Sequence, residues 1–154
     1  QNKTHSPPLQ MPVGHLKTGE PVYDRHNSHL HAEVANLLPV ALSKIDTPAD
    51  NFFIKEVKFD SVIGKSLCVK TTDEDIIVYA TRKGRNGPTR FVQNREAEIT
   101  DTVTVILLKR DDGPGYVLIT AFVGPKAEVE PWDPRATETS VQFWMNHALI
   151  WGSE

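Results

Sequence analysis

At 154 residues, with 39% apolar and 24% charged side chains and a formal net charge of -3, the chain is long enough for one domain with a real hydrophobic core. A pI near 6.1 gives no general pull toward nucleic acid or anionic lipid, so any polyanion has to be held by a local patch. The longest apolar runs, such as Val103 to Leu108, fall far short of the ~20 residues a membrane helix needs, which excludes a membrane-spanning segment of that kind.

Residues 1 to 27 carry Pro7, Pro8, Pro12 and Pro21 with Gly14 and Gly19 and show no apolar period, the composition of a linker or loosely attached arm. The chain opens at Gln1 without a charged, then apolar, leader and reads as a piece of something longer. Residues 28 to 154 are expected to form a single domain. From Leu30 to Ile45 the positions Val34, Leu37, Leu38, Ala41, Leu42 and Ile45 recur at helical spacing, with Asn27 or Ser28 available as N-cap. Pro39 should kink or split that helix.

After "TPAD" the period changes. "FFIKEVKF" and "SLCVKT" alternate around a turn at Asp60 to Lys65, and "DIIVYATR" follows as a third run. "PTRFVQN" pairs with the third run across a turn from Gly84 to Gly87, and "DTVTVILLKR" with "GYVLITAFV" makes a hairpin around "DDGPG". "ATETSVQFWMNHALIW" closes the chain as a short helix or a final edge strand. The order predicts an α+β fold, with an N-terminal helical segment packed on a twisted antiparallel sheet built as a meander.

Metal chemistry has a thin basis in residue types. His26, His29 and His31 cluster, but no cysteine pair, HExxH or matching carboxylate completes a shell, so no metal is assigned. The lone Cys68 alternates within a strand pattern and reads as a structural thiol. No GxGxxG, Walker lysine or GxSxG elbow is present, and no cofactor is assigned.

What remains is acid–base chemistry by His with electrostatic stabilisation by Arg, Lys and Thr. RNA cleavage by attack of its own 2′-hydroxyl needs that set and no metal: one group deprotonates the hydroxyl, another protonates the leaving oxygen, and donors steady the phosphorane. Histidine titrates near neutrality and arginine clamps phosphate with two parallel bonds. The stretch "TRKGRNGPTRF" places Arg82, Lys83, Arg85 and Arg90 on one hairpin of an acidic chain, Thr120 ends an apolar strand, and His147 lies near the C-terminus. Each has a plainer explanation: solvated edge cations for the hairpin, a capping or surface role for His31, core packing for His147, and strand propensity for Thr104 and Thr120. Trp132 and Trp144 suit either stacking on bases or burial.

A helix opening with "HLHAEVANLLP", the basic "TRKGRNGPTRF" hairpin and "TVTVILLKRDDGPGYVLITAFVG" together resemble the small ribonuclease toxins grouped as the barnase, EndoU, colicin and RelE (BECR) fold. The resemblance covers about residues 29 to 151 and is one of layout. It implies a metal-independent endoribonuclease toxin, as found at the C-terminus of contact-dependent inhibition and other polymorphic bacterial toxins. It implies catalytic roles for His31, Arg82, Thr120 and His147, and substrate binding by Lys83, Arg85, Arg90 and Trp144. It further implies an RNA substrate, delivery within a larger effector to the target-cell cytoplasm, and a cognate immunity protein. The low positive charge favours a compact substrate such as tRNA over broad ribosome binding. Two other readings stand beside this one. A non-enzymatic nucleic-acid or protein binding module would need the cations but not the histidines. An NAD-consuming transferase toxin would need a catalytic glutamate, and Glu128, Glu130 and Glu138 carry no motif for one.

Overall fold

A computed structural model describes residues 11–24 and 32–152. In chain order the first half holds β1 (Gly14–His15), β2 (Pro21–Tyr23), α1 (Ala32–Ser43), β3 (Phe52–Lys58), β4 (Gly64–Ser66) and β5 (Cys68–Lys70). The second half holds β6 (Ile77–Thr81), β7 (Pro88–Val92), β8 (Glu98–Thr100), β9 (Thr102–Lys109), β10 (Tyr116–Val123), α2 (Glu138–Asn146) and β11 (His147–Ile150). The protein is thus α+β, mostly sheet with two helices among the described residues. It divides into two compact units, each discontinuous in sequence.

The first unit takes the chain up to Lys58 together with Val103–Phe122. Its five-stranded sheet has the order β1-β2-β10-β9-β3. Strand β9 is buried on both faces over Val103, Thr104 and Val105, as a central strand of apolar and β-branched residues should be. Helix α1 buries the stripe Val34, Leu38, Ala41 and Leu42, one side of a 3.6-residue period. Gly14 of β1 lets the backbone approach that helix: a Cβ there would stand 2.8 Å from Leu42 Cδ1 and 3.4 Å from Pro39 Cα.

The second unit takes Phe59–Thr102 and the chain from Val123 onward. A four-stranded sheet has the order β5-β11-β7-β6, and β4 pairs with β8 as a separate two-stranded ribbon. Val69, Val92, Ala148 and Ile150 form its core, with Ile77 and Ala97 packed against them. The ribbon closes tightly on the chain that follows β10. A Cβ on Gly124, whose φ is 118°, would meet Ser66 Oγ at 2.6 Å, and Gly124 N donates to Thr102 O at 2.8 Å.

Several expectations change. Residues 13–23, read as linker, carry β1 and β2 and bury Leu16 and Val22, because two short strands need few apolar residues once neighbours supply the core. Helix α1 runs unbroken through Pro39, which is exposed. The expected N-caps Asn27 and Ser28 lie outside the described residues. The two hairpins form, but the single antiparallel meander does not: β3 and β5 join different sheets, and β10 with β2 and β11 with β7 are parallel pairs. Alternation reveals which face of a strand is buried and nothing of its partner, and the parallel pairs are closed by crossovers far longer than a turn. The C-terminal segment is both helix and strand, α2 passing directly into β11.

Candidate functional site

The second unit builds its site on the β6–β7 hairpin. Tyr79 pairs with Arg90 and Thr81 with Pro88, so these side chains share one face of the sheet. The turn between the strands is sharp. Arg85 N donates to Arg82 O at 3.0 Å, and Gly84 adopts φ 79°, a left-handed conformation that costs glycine nothing. Gly87 serves a different need. A Cβ there would lie 2.3 Å from Trp132 Cγ, so only a bare backbone lets the indole settle on the turn.

The segment from Glu128 to Trp132 and one side of α2 complete the walls. Trp144 Nε1 donates to Glu128 O at 2.9 Å, and Arg82 Nη2 meets Glu130 Oε2 at 2.5 Å in a pair whose side chains are mostly withdrawn from water. Helix α2 starts at a capping box, Thr137 and Ser140 each bonding the other's backbone N–H. It thereby presents Val141, Trp144 and Met145 toward the hairpin. Together Tyr79, Pro88, Arg90, Glu130, Trp132, Trp144 and their neighbours enclose a cavity of about 300 Å³.

Its chemistry is that of a slot for a flat ring. Three aromatic rings and a Met line it, Tyr79 is 65% exposed and Met145 67% exposed at its mouth, and the polar groups are few. Arg90 is half-buried and partly engaged: Nη1 donates to Thr71 Oγ1 at 2.9 Å and to His147 O at 2.8 Å. Both bonds run through Nη1 and tether the guanidinium of a residue that lines the cavity. Trp132 Nε1 is buried without a hydrogen-bond partner.

The residues singled out from sequence divide sharply. Arg90 and Trp144 line the cavity, and Lys83 and Arg85 stand exposed on the adjoining turn with no side-chain partner among the described residues. Arg82 is already committed: Nε donates to the fully buried Thr89 at 3.0 Å and Nη2 to Glu130. His147 Nδ1 lies 2.8 Å from Phe143 O and the ring stacks on Phe143 at 3.9 Å, 4° from parallel. A carbonyl can only accept, so Nδ1 carries a proton and donates it to Phe143 O. His147 is not among the residues that line the cavity. Thr120 belongs to the first unit, half-buried on β10, and His31 lies outside the described residues.

Of the four residues expected to be catalytic, the second unit therefore holds Arg82 and His147 alone. Of the glutamates weighed for a transferase, Glu130 is bound to Arg82, and Glu138 sits exposed in the first turn of α2. Burial pushes the Cys68 thiol up to about 12, which suits a structural thiol and not a nucleophile. Among the described residues no three His, Cys, Asp or Glu side chains gather as a metal site, and no helix is long and apolar enough to cross a membrane.

The sequence pattern does not mark Tyr79, Glu130 or Gly87 as residues of this cavity. The pairing of Tyr79 with Arg90 was latent in the hairpin register, whereas the approach of Trp132 to Gly87 spans 45 positions and leaves no local signal. No family model, no curated protein and no solved structure matches this chain.

Proposed function

We propose that this protein binds single-stranded RNA, taking one unstacked base into the cavity while Arg90, Lys83 and Arg85 hold the neighbouring phosphates. The observation that carries the reading is the convergence of Tyr79, Trp132 and Trp144 on a 300 Å³ space that the cation Arg90 also lines. The size is at the low end of ligand sites, suited to one ring and not to a dinucleotide cofactor. Stacking on aromatic side chains is worth ~1–3 kcal/mol per base, and a base is free to enter only when it is unpaired. Fluorescence anisotropy with a labelled ten-nucleotide single strand in EDTA tests this. Tyr79→Ala and Trp132→Ala should each weaken binding by between about five-fold and a hundred-fold, and duplex RNA of the same length should compete poorly. Equal affinity for duplex and single strand, or aromatic variants that bind like the parent, would contradict it.

A second reading, metal-independent cleavage of the bound strand by a toxin domain, is favoured by one feature. The Nδ1–H of His147 is held by Phe143 O, which orients the ring and leaves Nε2 to take or give a proton, as a general base or acid requires. Total RNA incubated in EDTA should then show discrete cuts ending in 2′,3′-cyclic phosphate. His147→Ala should abolish the cuts while leaving binding intact. Binding without cutting leaves the recognition module alone, and delivery within a larger effector and a protective immunity partner go with the cleaving form only.

A further inference from the structure

The Arg82–Glu130 pair has a consequence for how the cavity is built. Segment 128–132 is tied both to α2 and to the hairpin. Trp144 holds its start at Glu128 O, Arg82 holds Glu130, and Trp132 rests on Gly87 by packing, its Nε1 without a partner. Between the last two, the turn closed by Asp133 N donating to Glu130 O at 3.0 Å ties the position of Trp132 to that of Glu130. Arg82 is itself set by the hairpin, since its Nε bonds buried Thr89 on the opposing strand. An arginine bound at both Nε and Nη2 has committed the side-on fork of those two nitrogens to the protein, leaving Nη1 and one Nη2 hydrogen as its remaining donors.

We propose that Arg82 is a positioning residue: through Glu130 it holds segment 128–132 as a wall of the cavity and so sets Trp132 for stacking, without touching the ligand. The role rests on the RNA-binding reading for its affinity readout, and it differs from a phosphate-clamping Arg82 in the sign of one substitution. If Arg82 gripped phosphate, the Glu130 carboxylate would compete with RNA, and Glu130→Ala would tighten binding. If Arg82 positions the wall, Glu130→Ala weakens it although a negative charge has been removed from the site.

The experiment measures affinity for a labelled ten-nucleotide single strand across KCl concentrations for the parent, Arg82→Ala, Glu130→Ala and the milder Glu130→Gln. Both alanine variants should lose about ten-fold or more in affinity. The slope of log affinity against log salt should stay at the parent value in Arg82→Ala, whereas loss of a phosphate contact would reduce it by about 0.7. The indole N–H resonance of Trp132, assigned by comparison with Trp132→Phe, should shift in Arg82→Ala and Glu130→Gln in the absence of RNA. Tighter binding by Glu130→Ala, a reduced salt slope in Arg82→Ala, or an unmoved Trp132 resonance in both variants each overturns the proposal. Should the parent bind no RNA, the RNA reading falls and the indole resonance alone decides whether the positioning role stands.

Discussion

Gly87 is where one missing side chain decides most. Its neighbour is Trp132 Cγ at 2.3 Å from a notional Cβ, so Gly87→Ala must evict the indole or move the turn. Overpacking of this kind costs about 1–3 kcal/mol. The expected outcome is a lower midpoint of thermal unfolding together with loss of RNA affinity, read by melting and anisotropy on the same sample. Gly84 makes a contrasting demand, conformational and not spatial, because nothing stands within 4 Å of its notional Cβ. Gly84→Ala should therefore cost stability through its positive φ, about 1–2 kcal/mol, with little effect on the cavity. Cys68 gives a prediction in pH. Its thiol is raised from 9.0 to about 12 by burial, so the folded state prefers the neutral form. That contribution is complete below pH 9, where the thiol of the unfolded chain is still protonated, and it is lost as pH rises from 9 toward 12. Cys68→Ser should flatten the alkaline fall in stability, and thiol reagents at pH 8 should label the half-buried Cys68 slowly in the folded chain and much faster once denaturant is added.

The β6–β7 hairpin shows what could be read in the chain and what could not. Two alternating runs around "RKGRNG" announce the turn, and the register that follows puts Tyr79 beside Arg90, so half of the candidate site was legible from spacing alone. The other half comes from a segment between prolines, "EVEPWDP", with no period to report its destination. Its attachment through Arg82 and Gly87 crosses more than 40 positions. The cations of the turn were legible as a group but not in their division of labour. Arg82 faces a carboxylate, Arg90 holds Thr71 and the His147 backbone, and Lys83 and Arg85 alone remain in water. Lys83→Gln combined with Arg85→Gln should weaken RNA binding without altering stability and should lower the salt slope by about 1.4, two single-strand contacts' worth.

Across the whole chain, the α+β class followed from one helical run and several alternating ones, but the division into sheets did not. The chain passes between its two units after Lys58, Thr102 and Phe122, so neither is a contiguous stretch of sequence. A fragment of residues 59–154 would carry β9 and β10, with the buried Val103, Val105 and Leu107, but without β2 and β3, the strands that flank them in the sheet of the full chain. Such a fragment should aggregate on size-exclusion chromatography even though it contains every residue of the cavity. Charge at this scale argues for restraint in binding. A net charge of -3 supplies no general attraction, and three local cations predict a shallow salt slope of about -2 for a single strand. The most direct test of the RNA reading is a map of ultraviolet crosslinks between the full chain and a single-stranded RNA, located by mass spectrometry. Crosslinks at Tyr79, Trp132 or Trp144 are predicted, and crosslinks confined to the first unit, or none above background, would contradict it.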